Sequence, residues 1–540
     1  MGLNNMKKKA LLTVIPFFLL SSCVAINTEA DFSKGYNKNL WFKNDLETPL
    51  ADPFILYDDG YYYMYGTSDE LSGTGFYVYR SKQLNYWENL GPAFLADPYS
   101  WSSGSLWAPN VYKIGDRYYM YYCAKNAKDF SSTNRKYRRG ISVAVSSSPA
   151  GPFKEYEGYN ADGVYLTKND QVFLDLGFAA IDPSLFIDDN GEMYLYFSQD
   201  QLDSESQSYG MKLKDPVTAD YETMKPLVRA GYRSIQEEEA HPNLEWERGS
   251  NTRFWNEAPE LYKSNGKYFL TYSANYYGNI TYAVGYAVSD SPLGEFTKPC
   301  SYEYENQLCG VQGLDIGNGW DFTSGTGHHC FFKAGDELLI GYHAHLDRAN
   351  GSSERAFAMD RVIVNQDGTL FVNGPTYSLQ PLPASVSGYE NIALRASISA
   401  SGEDDCNKLN DYKIPMHIAN PSNMALEYTF QPGSHEVRLQ WSNNYEISAV
   451  AVYGGMDKDY VIGKVDIQVG NQNFKNIELN HEYYQDYMDE FRESGYLRPG
   501  SPFVAEFEAI SAHQVTVKFS SLKQAKMSEI VVLAKGGMQI

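Results

Sequence analysis

Cysteine is scarce, with 6 in 540 residues, and no CxxC pair or His/Cys cluster offers a zinc site. Positive charge is also in deficit: Lys+Arg 45 against Asp+Glu 67 leaves a net charge of -22. That balance disfavours a phosphate-binding surface, and with it nucleic acid, and long-range repulsion disfavours a polyanionic substrate. Neutral partners fit better. Helical periodicity is nearly absent up to about residue 385, which points to an all-β chain. The N-terminal apolar run, Ala10–Leu20, has eleven residues, too few for a bilayer span, which needs about 20. Aromatic side chains, by contrast, are abundant at 15%, with 45 Tyr. They suit tyrosine-rich strands and sugar-stacking surfaces.

The apolar run follows Lys7, Lys8 and Lys9 and ends in Leu20-Ser21-Ser22-Cys23, the order of an export signal. Leu-Ser-Ser-Cys resembles the lipobox of bacterial lipoproteins, whose cysteine becomes the lipidated first residue. The resemblance implies a signal peptide over 1–22, lipidation at Cys23 and a tether over 23–44. It also implies a location in the periplasm or on the outer-membrane surface, with membrane contact only through the anchor. A cleaved signal with an incidental cysteine is the competing expectation. An oxidising compartment permits Cys300 to pair with Cys309 across a short loop, but spacing does not establish the pair.

The most informative feature is an internal repeat: a proline, an apolar pair, a turn, then a run of Tyr, Met, Leu and Phe. It reads DPFILYDDGYYYMYGTS from Asp52, APNVYKIGDRYYMYYCA from Ala108, DPSLFIDDNGEMYLYFS from Asp182 and APELYKSNGKYFLTYSA from Ala258. A looser fifth copy, GHHCFFKAGDELLIGYHA, begins at Gly327. Each copy predicts two strands joined by a tight turn, at Asp59-Gly60, Gly115-Asp116, Asn190-Gly191, Asn265-Gly266 and Gly335-Asp336. Pro53, Pro109, Pro183 and Pro259 set a unit of 56 to 76 residues, the length of a four-stranded blade with long connections. Two near copies, Val145–Phe153 and Val288–Phe296, read as outer strands. Five such units predict a closed five-bladed β-propeller over 45–385, in which the position before each repeated proline faces one central cavity. From about residue 386 to 540 the repeat is gone. Alternating runs such as Glu446–Tyr453, Gln514–Phe519 and Ser528–Leu533 predict an accessory β-sandwich domain.

At the positions before those prolines the repeats carry acids selectively: Asp52, Asp182 and, one residue earlier in its repeat, Glu257. Asp-Pro pairs are also ordinary turn formers, the Asp capping backbone groups, but three acids at equivalent positions argue for chemistry. Two carboxyls, one ionised to activate water and one protonated to serve the leaving oxygen, are what glycoside hydrolysis requires. A third negative charge near Glu257, from Asp182, is expected to raise the pKa of the acid.

This ordered set resembles glycoside hydrolase family 43 over about Pro49 to Pro383, whose members pair an early Asp-Pro, a middle Asp-Pro and a later Glu-Gly-Pro or Glu-Ala-Pro. The resemblance implies an inverting reaction with Asp52 as base, Asp182 as modulator and Glu257 as acid; Glu260 is the rival acid in Asn256-Glu-Ala-Pro-Glu260. Gly325-Thr-Gly-His328-His329 resembles the family's Gly-x-Gly-His segment, so His328 is expected near the axis, in reach of a structural calcium ion through water or as a structural histidine. No cofactor is required. Ser353-Glu-Arg355 resembles the stretch that supplies a substrate-binding arginine, with a surface ion pair as the alternative. Trp107, Tyr276 and Tyr277 are candidate sugar contacts, and Trp255 a core or contact residue. The C-terminal domain resembles discoidin-type or galactose-binding-like sandwiches at Asn391–Ser397 and Met527–Ala534; bracing of the propeller is its favoured role and glycan binding the alternative.

The implied substrates are neutral oligosaccharides or polysaccharides bearing terminal α-L-arabinofuranosyl or β-D-xylosyl residues, cleaved by exo action, with galactofuranosides or galactans as runner-up. A monomer is expected. Invertase-like fructosidases share the five blades but carry Asn-Asp-Pro-Asn-Gly and Arg-Asp-Pro, where this chain has Ala51-Asp-Pro-Phe54 and Ile181-Asp-Pro-Ser184. A catalytically silent carbohydrate-binding lipoprotein is the rival from another class, and it has no need for an acid and a base.

Overall fold

The computed structural model describes residues 36–536, apart from 126–138, 169–172, 175, 201–205, 249–252, 303, 311–322, 347–353, 377, 403–404, 415–425, 456–459 and 480–500. Cys23 and the signal sequence lie outside the described residues. Five antiparallel four-stranded sheets follow one another along the chain. Their innermost strands are Ala51–Asp58, Gly104–Ile114, Ala180–Ile187, Asn256–Ser264 and Gly327–Ala334, which open blades I to V. The blades close into a ring because the fifth innermost strand packs on the first. A single apolar core runs through blades V, I and II, joining Phe332, Phe54 and Met120. The segment before blade I is laced to blade V, where Pro49 bridges to Ala356 and the Leu50 N–H donates to the Arg355 carbonyl at 3.2 Å.

The turn chemistry explains the hairpins. Asp59-Gly60 and Asn265-Gly266 both take positive φ at both residues, 46° and 77° and then 48° and 76°, the backbone twist that suits two-residue hairpins. The tyrosines of the second strands do more than fill space. Tyr65, Tyr121 and Tyr196 occupy equivalent positions in blades I to III, and each hydroxyl donates to a proline carbonyl of the next blade, Pro149, Pro216 and Pro292, at 2.5, 2.6 and 2.8 Å. Pro149 and Pro292 lie in the two near copies expected to be outer strands. These copies are instead the turns between third and fourth strands, shaped to present that carbonyl. A second staple joins neighbouring blades at two seams: Asp58 of blade I accepts from Lys113 and Tyr118 of blade II, and Asp188 of blade III accepts from Lys263 and Tyr268 of blade IV.

After the propeller, eight strands form one antiparallel network dominated by two long strands, Gly433–Gly454 and Pro502–Ser521. Along Ile447–Tyr453 every residue is buried, because both faces are covered. Ile447, Val450 and Val452 face the domain's own core, whereas Ala449, Ala451 and Tyr453 join a separate cluster with Leu40, Trp41 and Leu379. The Trp41 indole N–H donates to Glu506 at 2.8 Å and the Tyr453 hydroxyl to the Leu379 carbonyl at 2.9 Å. Trp41–Phe42 also pairs with Gln380–Pro381. The stretch expected to be a tether up to residue 44 is therefore folded from Leu40 onward, where Leu40, Trp41 and Phe42 are buried. Cys300 and Cys309, whose pairing the sequence left open, are both free, buried thiols.

Candidate active site

One backbone device builds the site. Asp52, Ala108, Asp182, Ala258 and His328, the same position in all five blades, have φ of 53°, 50°, 57°, 54° and 46°. Each lies in a break of the ladder with the second strand, between Ala51/Phe54, Trp107/Asn110, Ile181/Ser184, Glu257/Glu260 and Gly327/Cys330. The following proline in four blades has no N–H to donate, so it fits where the ladder is interrupted. Non-glycine residues rarely take this left-handed backbone, and a bulge with such a residue re-aims side chains. The conformation is sustained because the bulged N–H finds an acceptor on the preceding blade. Asp52 donates to His343 Nδ1 (3.2 Å), Ala108 to Thr67 Oγ1 (2.9 Å), Ala258 to Asp182 Oδ2 (3.1 Å) and His328 to Ser273 Oγ (2.7 Å). Asp182 donates to the Cys123 thiol, and the circuit of five blades is complete.

The carboxyl of Asp52 sits among cations and donors: Arg355 Nη1 at 3.3 Å, His328 Nδ1 at 3.2 Å and Thr67 Oγ1 at 2.5 Å. Burial pushes its pKa up, but His328, Arg355 and His343 outweigh burial and hold it far below the usual carboxylate range. His343 is itself driven by burial down to about 3, so it stays neutral and accepts the Asp52 N–H. Burial lowers His328 as well, which leaves Arg355 as the permanent positive charge on Asp52.

Glu257 has the opposite environment. Burial raises it from 4.5 to about 7, against the Trp255 indole N–H on Oε2 at 2.8 Å and the Tyr282 hydroxyl on Oε1 at 2.7 Å, with Asp52 and Asp200 adding repulsion. Asp182 is also raised, by burial first and then by Glu257 and Asp52. Asp182 and Glu257 repel each other, each disfavouring the other's ionised form, and Asp52 and Asp200 add to the repulsion on Glu257. What Asp182 contributes directly is the hydrogen bond to the N–H of Ala258, the residue after Glu257.

The other expected residues fall around this centre. Trp107, 36% exposed, directly precedes the bulge of blade II. Tyr276 is 47% exposed and its ring lies 4.7 Å from that of Tyr277, which in turn lies 4.8 Å below the Arg355 guanidinium. Arg355, with a side chain only 11% exposed, is no surface ion pair. Glu260 takes no part in the cluster: it sits one step further along the innermost strand, hydrogen-bonded to the Phe331 N–H, and burial raises it to about 8. Calcium prefers about six to eight oxygen ligands, whereas His328 here meets one carboxylate and another imidazole. Among the described residues no group of three or more His, Cys, Asp or Glu is arranged to hold a metal. The cluster does not fit a calcium ion held directly by the protein. Residue reading missed His343, Tyr282, Arg139 and Asp200. His343 was findable, since GYHA places it in the repeat where Thr67, Cys123 and Ser273 stand.

A ring of five blades with two buried carboxyls and a third partly buried one near its axis, one held ionised and two held up, is the architecture of a glycoside hydrolase. The chain belongs to glycosyl hydrolases family 43, whose sequence profile matches residues 46–370. It is 26% identical to the extracellular endo-alpha-(1->5)-L-arabinanase of Thermotoga petrophila, over 48% of this chain and 52% of that one. It is also 26% identical to the xylosidase/arabinosidase of Bacteroides ovatus, over 46% of this chain and 76% of the other. The chain thus spans about half the length of the first relative and three quarters of the second. A solved thermostable family-43 glycoside hydrolase matches 63% of this chain and 99% of its own, at 29% identity and a TM-score of 0.51.

Proposed function

We propose that this glycosyl hydrolase removes terminal α-L-arabinofuranosyl or β-D-xylosyl residues from neutral plant-type polysaccharides or oligosaccharides, by exo action and with inversion. Asp52 is the general base, Glu257 the general acid and Asp182 the orienting residue. The observation that carries this reading is the opposite electrostatics of a buried carboxyl, Asp52, and a partly buried one, Glu257, that interact with each other. A base must be ionised when water arrives, and Asp52 keeps its charge through Arg355. An acid must hold its proton at the working pH, and Glu257 does so because burial and two anions disfavour its ionised form.

In the reaction Asp52 takes a proton from water as that water attacks the anomeric carbon. Glu257 gives its proton to the departing glycosidic oxygen, and the product appears with the opposite anomeric configuration. Asp182, through the Ala258 N–H, holds the backbone that carries Glu257. The depth of the catalytic carboxyls, with Asp52 and Asp182 each 7% exposed, favours a pocket for a chain end. The xylosidase/arabinosidase name of one relative and the extracellular name of another agree with the sugars proposed and with export. The catalytic unit is taken as 45–385, and the accessory unit 386–540 braces it through the Trp41 and Tyr453 contacts.

A panel of p-nitrophenyl furanosides and pyranosides, followed by NMR of the first-formed anomer, tests the reading. Release of arabinose or xylose with inversion by the wild type, lost in Asp52→Asn and Glu257→Gln, is expected. A retained anomer overturns the mechanism, and galactofuranose as the only sugar released overturns the substrate.

A further inference from the structure

A buried charge pair at the edge of the site has no part in the reaction as derived. The Arg139 guanidinium lies over the Trp107 ring, its Cζ 3.3 Å from the ring centroid. Its Nε stands 3.4 Å from Asp200 Oδ2, and its Nη1 reaches the Ser105 carbonyl at 3.4 Å. Both charges are largely withdrawn from water, with side chains 11% and 26% exposed. Trp107 nonetheless keeps 36% of its surface open. The cation therefore covers part of the indole, and the rest of the ring stays open to solvent.

The three residues lie in or beside three separate strands of two blades. Trp107 lies in the innermost strand of blade II, Gly104–Ile114; Arg139 precedes that blade's third strand, Gly140–Ser146; Asp200 follows the second strand of blade III, Met193–Gln199. No local sequence pattern brings them together, and nothing in the core requires charge there. A cation on an aromatic face is worth most when desolvated, and an arginine so placed needs its carboxylate, since an unpaired buried charge is costly. Resting on the catalytic reading above, the geometry points to Asp200 and Arg139 as a positioning pair that locks Trp107 as the stacking wall for the sugar ring and sets the local charge beside Glu257.

Two consequences follow from that position. Loss of either member frees Trp107, so KM rises. The effect on the acid has opposite signs for the two members. Glu257 is faced by Asp52 from blade I, by Asp182 and Asp200 from blade III, and by Tyr277 and Tyr282 of its own blade. Removing the charge of Asp200 relieves repulsion, so the proton leaves Glu257 at lower pH. Removing the charge of Arg139 leaves Asp200 with Lys125 of blade II as a nearby cation but without its paired guanidinium, so the repulsion on Glu257 grows and the proton is held to higher pH.

The test uses the full chain and the p-nitrophenyl sugar that the wild type cleaves, with kcat and KM across pH for wild type, Asp200→Asn, Asp200→Glu, Arg139→Met and Trp107→Ala. Asp200→Asn, Arg139→Met and Trp107→Ala are each expected to raise KM by about tenfold. The alkaline limb of kcat/KM should move down by about half a pH unit in Asp200→Asn and up by a similar amount in Arg139→Met. Asp200→Glu should restore the wild-type limb. A misfolded protein loses active molecules without moving the two limbs in opposite directions. Unchanged KM, or limbs that shift together, overturns the pair. A wild type that cleaves no glycoside of the panel overturns the catalytic reading instead.

Discussion

Glu260→Gln separates the two candidate acids and reads the electrostatics of the propeller axis at once. Glu260 is raised from 4.5 to about 8, by burial, and its one compensating partner is the Phe331 N–H. Its folded state therefore binds a proton that the unfolded chain releases earlier. A carboxyl raised on folding costs nothing below its unfolded pKa and costs progressively more as pH climbs toward its folded pKa. The slope between about pH 5 and about pH 8 is up to roughly 1.4 kcal/mol per pH unit. Glu260 retains partial contact with solvent, so the accumulated cost is discounted to about 2 to 3 kcal/mol at the alkaline end. Glutamine keeps the shape and an oxygen for the Phe331 N–H but cannot ionise. Urea denaturation at matched pH values should show the variant and wild type equal near about pH 5, with the variant gaining about 2 to 3 kcal/mol near about pH 8. Turnover should stay within about twofold of wild type, whereas Glu257→Gln should lose roughly a hundredfold or more. A stability difference flat in pH refutes the burial argument. Loss of turnover in folded Glu260→Gln, with Glu257→Gln still active, refutes the choice of acid.

Tyr282→Phe removes a donor to the ionised form of Glu257, so the alkaline limb of kcat/KM should rise above about 7; an unchanged or lowered limb counts against Glu257 as the acid. Arg355→Met removes the permanent cation on Asp52, so the acid limb should climb toward the ordinary carboxylate range and kcat/KM should fall most at low pH. An acid limb that stays put would mean that another group supplies the base. Trp41→Ala empties the seam between propeller and accessory domain and removes the indole donor to Glu506. It should cost about 3 to 5 kcal/mol in thermal or chemical unfolding, and a change within about 0.5 kcal/mol, the range of ordinary surface substitutions, would show that the two units do not brace each other.

The blades were legible because a hairpin is a local object. Asn265-Gly266 and Asp59-Gly60 demand a two-residue turn, and the runs of Tyr, Met, Leu and Phe that follow them are rich in strand formers. The three carboxyls were legible for a related reason, since equivalent places in a repeat become equivalent places around an axis. His343 could have been read in the same way, but its repeat is the most divergent of the five. Trp255 and Tyr282 could not, because nothing near them in the chain marks them as donors to Glu257. The two near-copy segments were misassigned because their proline turn carries the same residues as a strand end, and only the neighbouring blade's tyrosine reveals the use of the carbonyl.

By itself the sequence determined the all-β character, the fivefold hairpin unit and the identity of the acids that meet, because strand period, turn chemistry and repeat position act within a few residues of one another. Tertiary structure alone decided which acid is ionised and which keeps its proton. Burial, the Arg355 cation on Asp52 and the Asp200 anion near Glu257 are set by parts of the chain far apart in number, and a pKa depends on what surrounds a group in space.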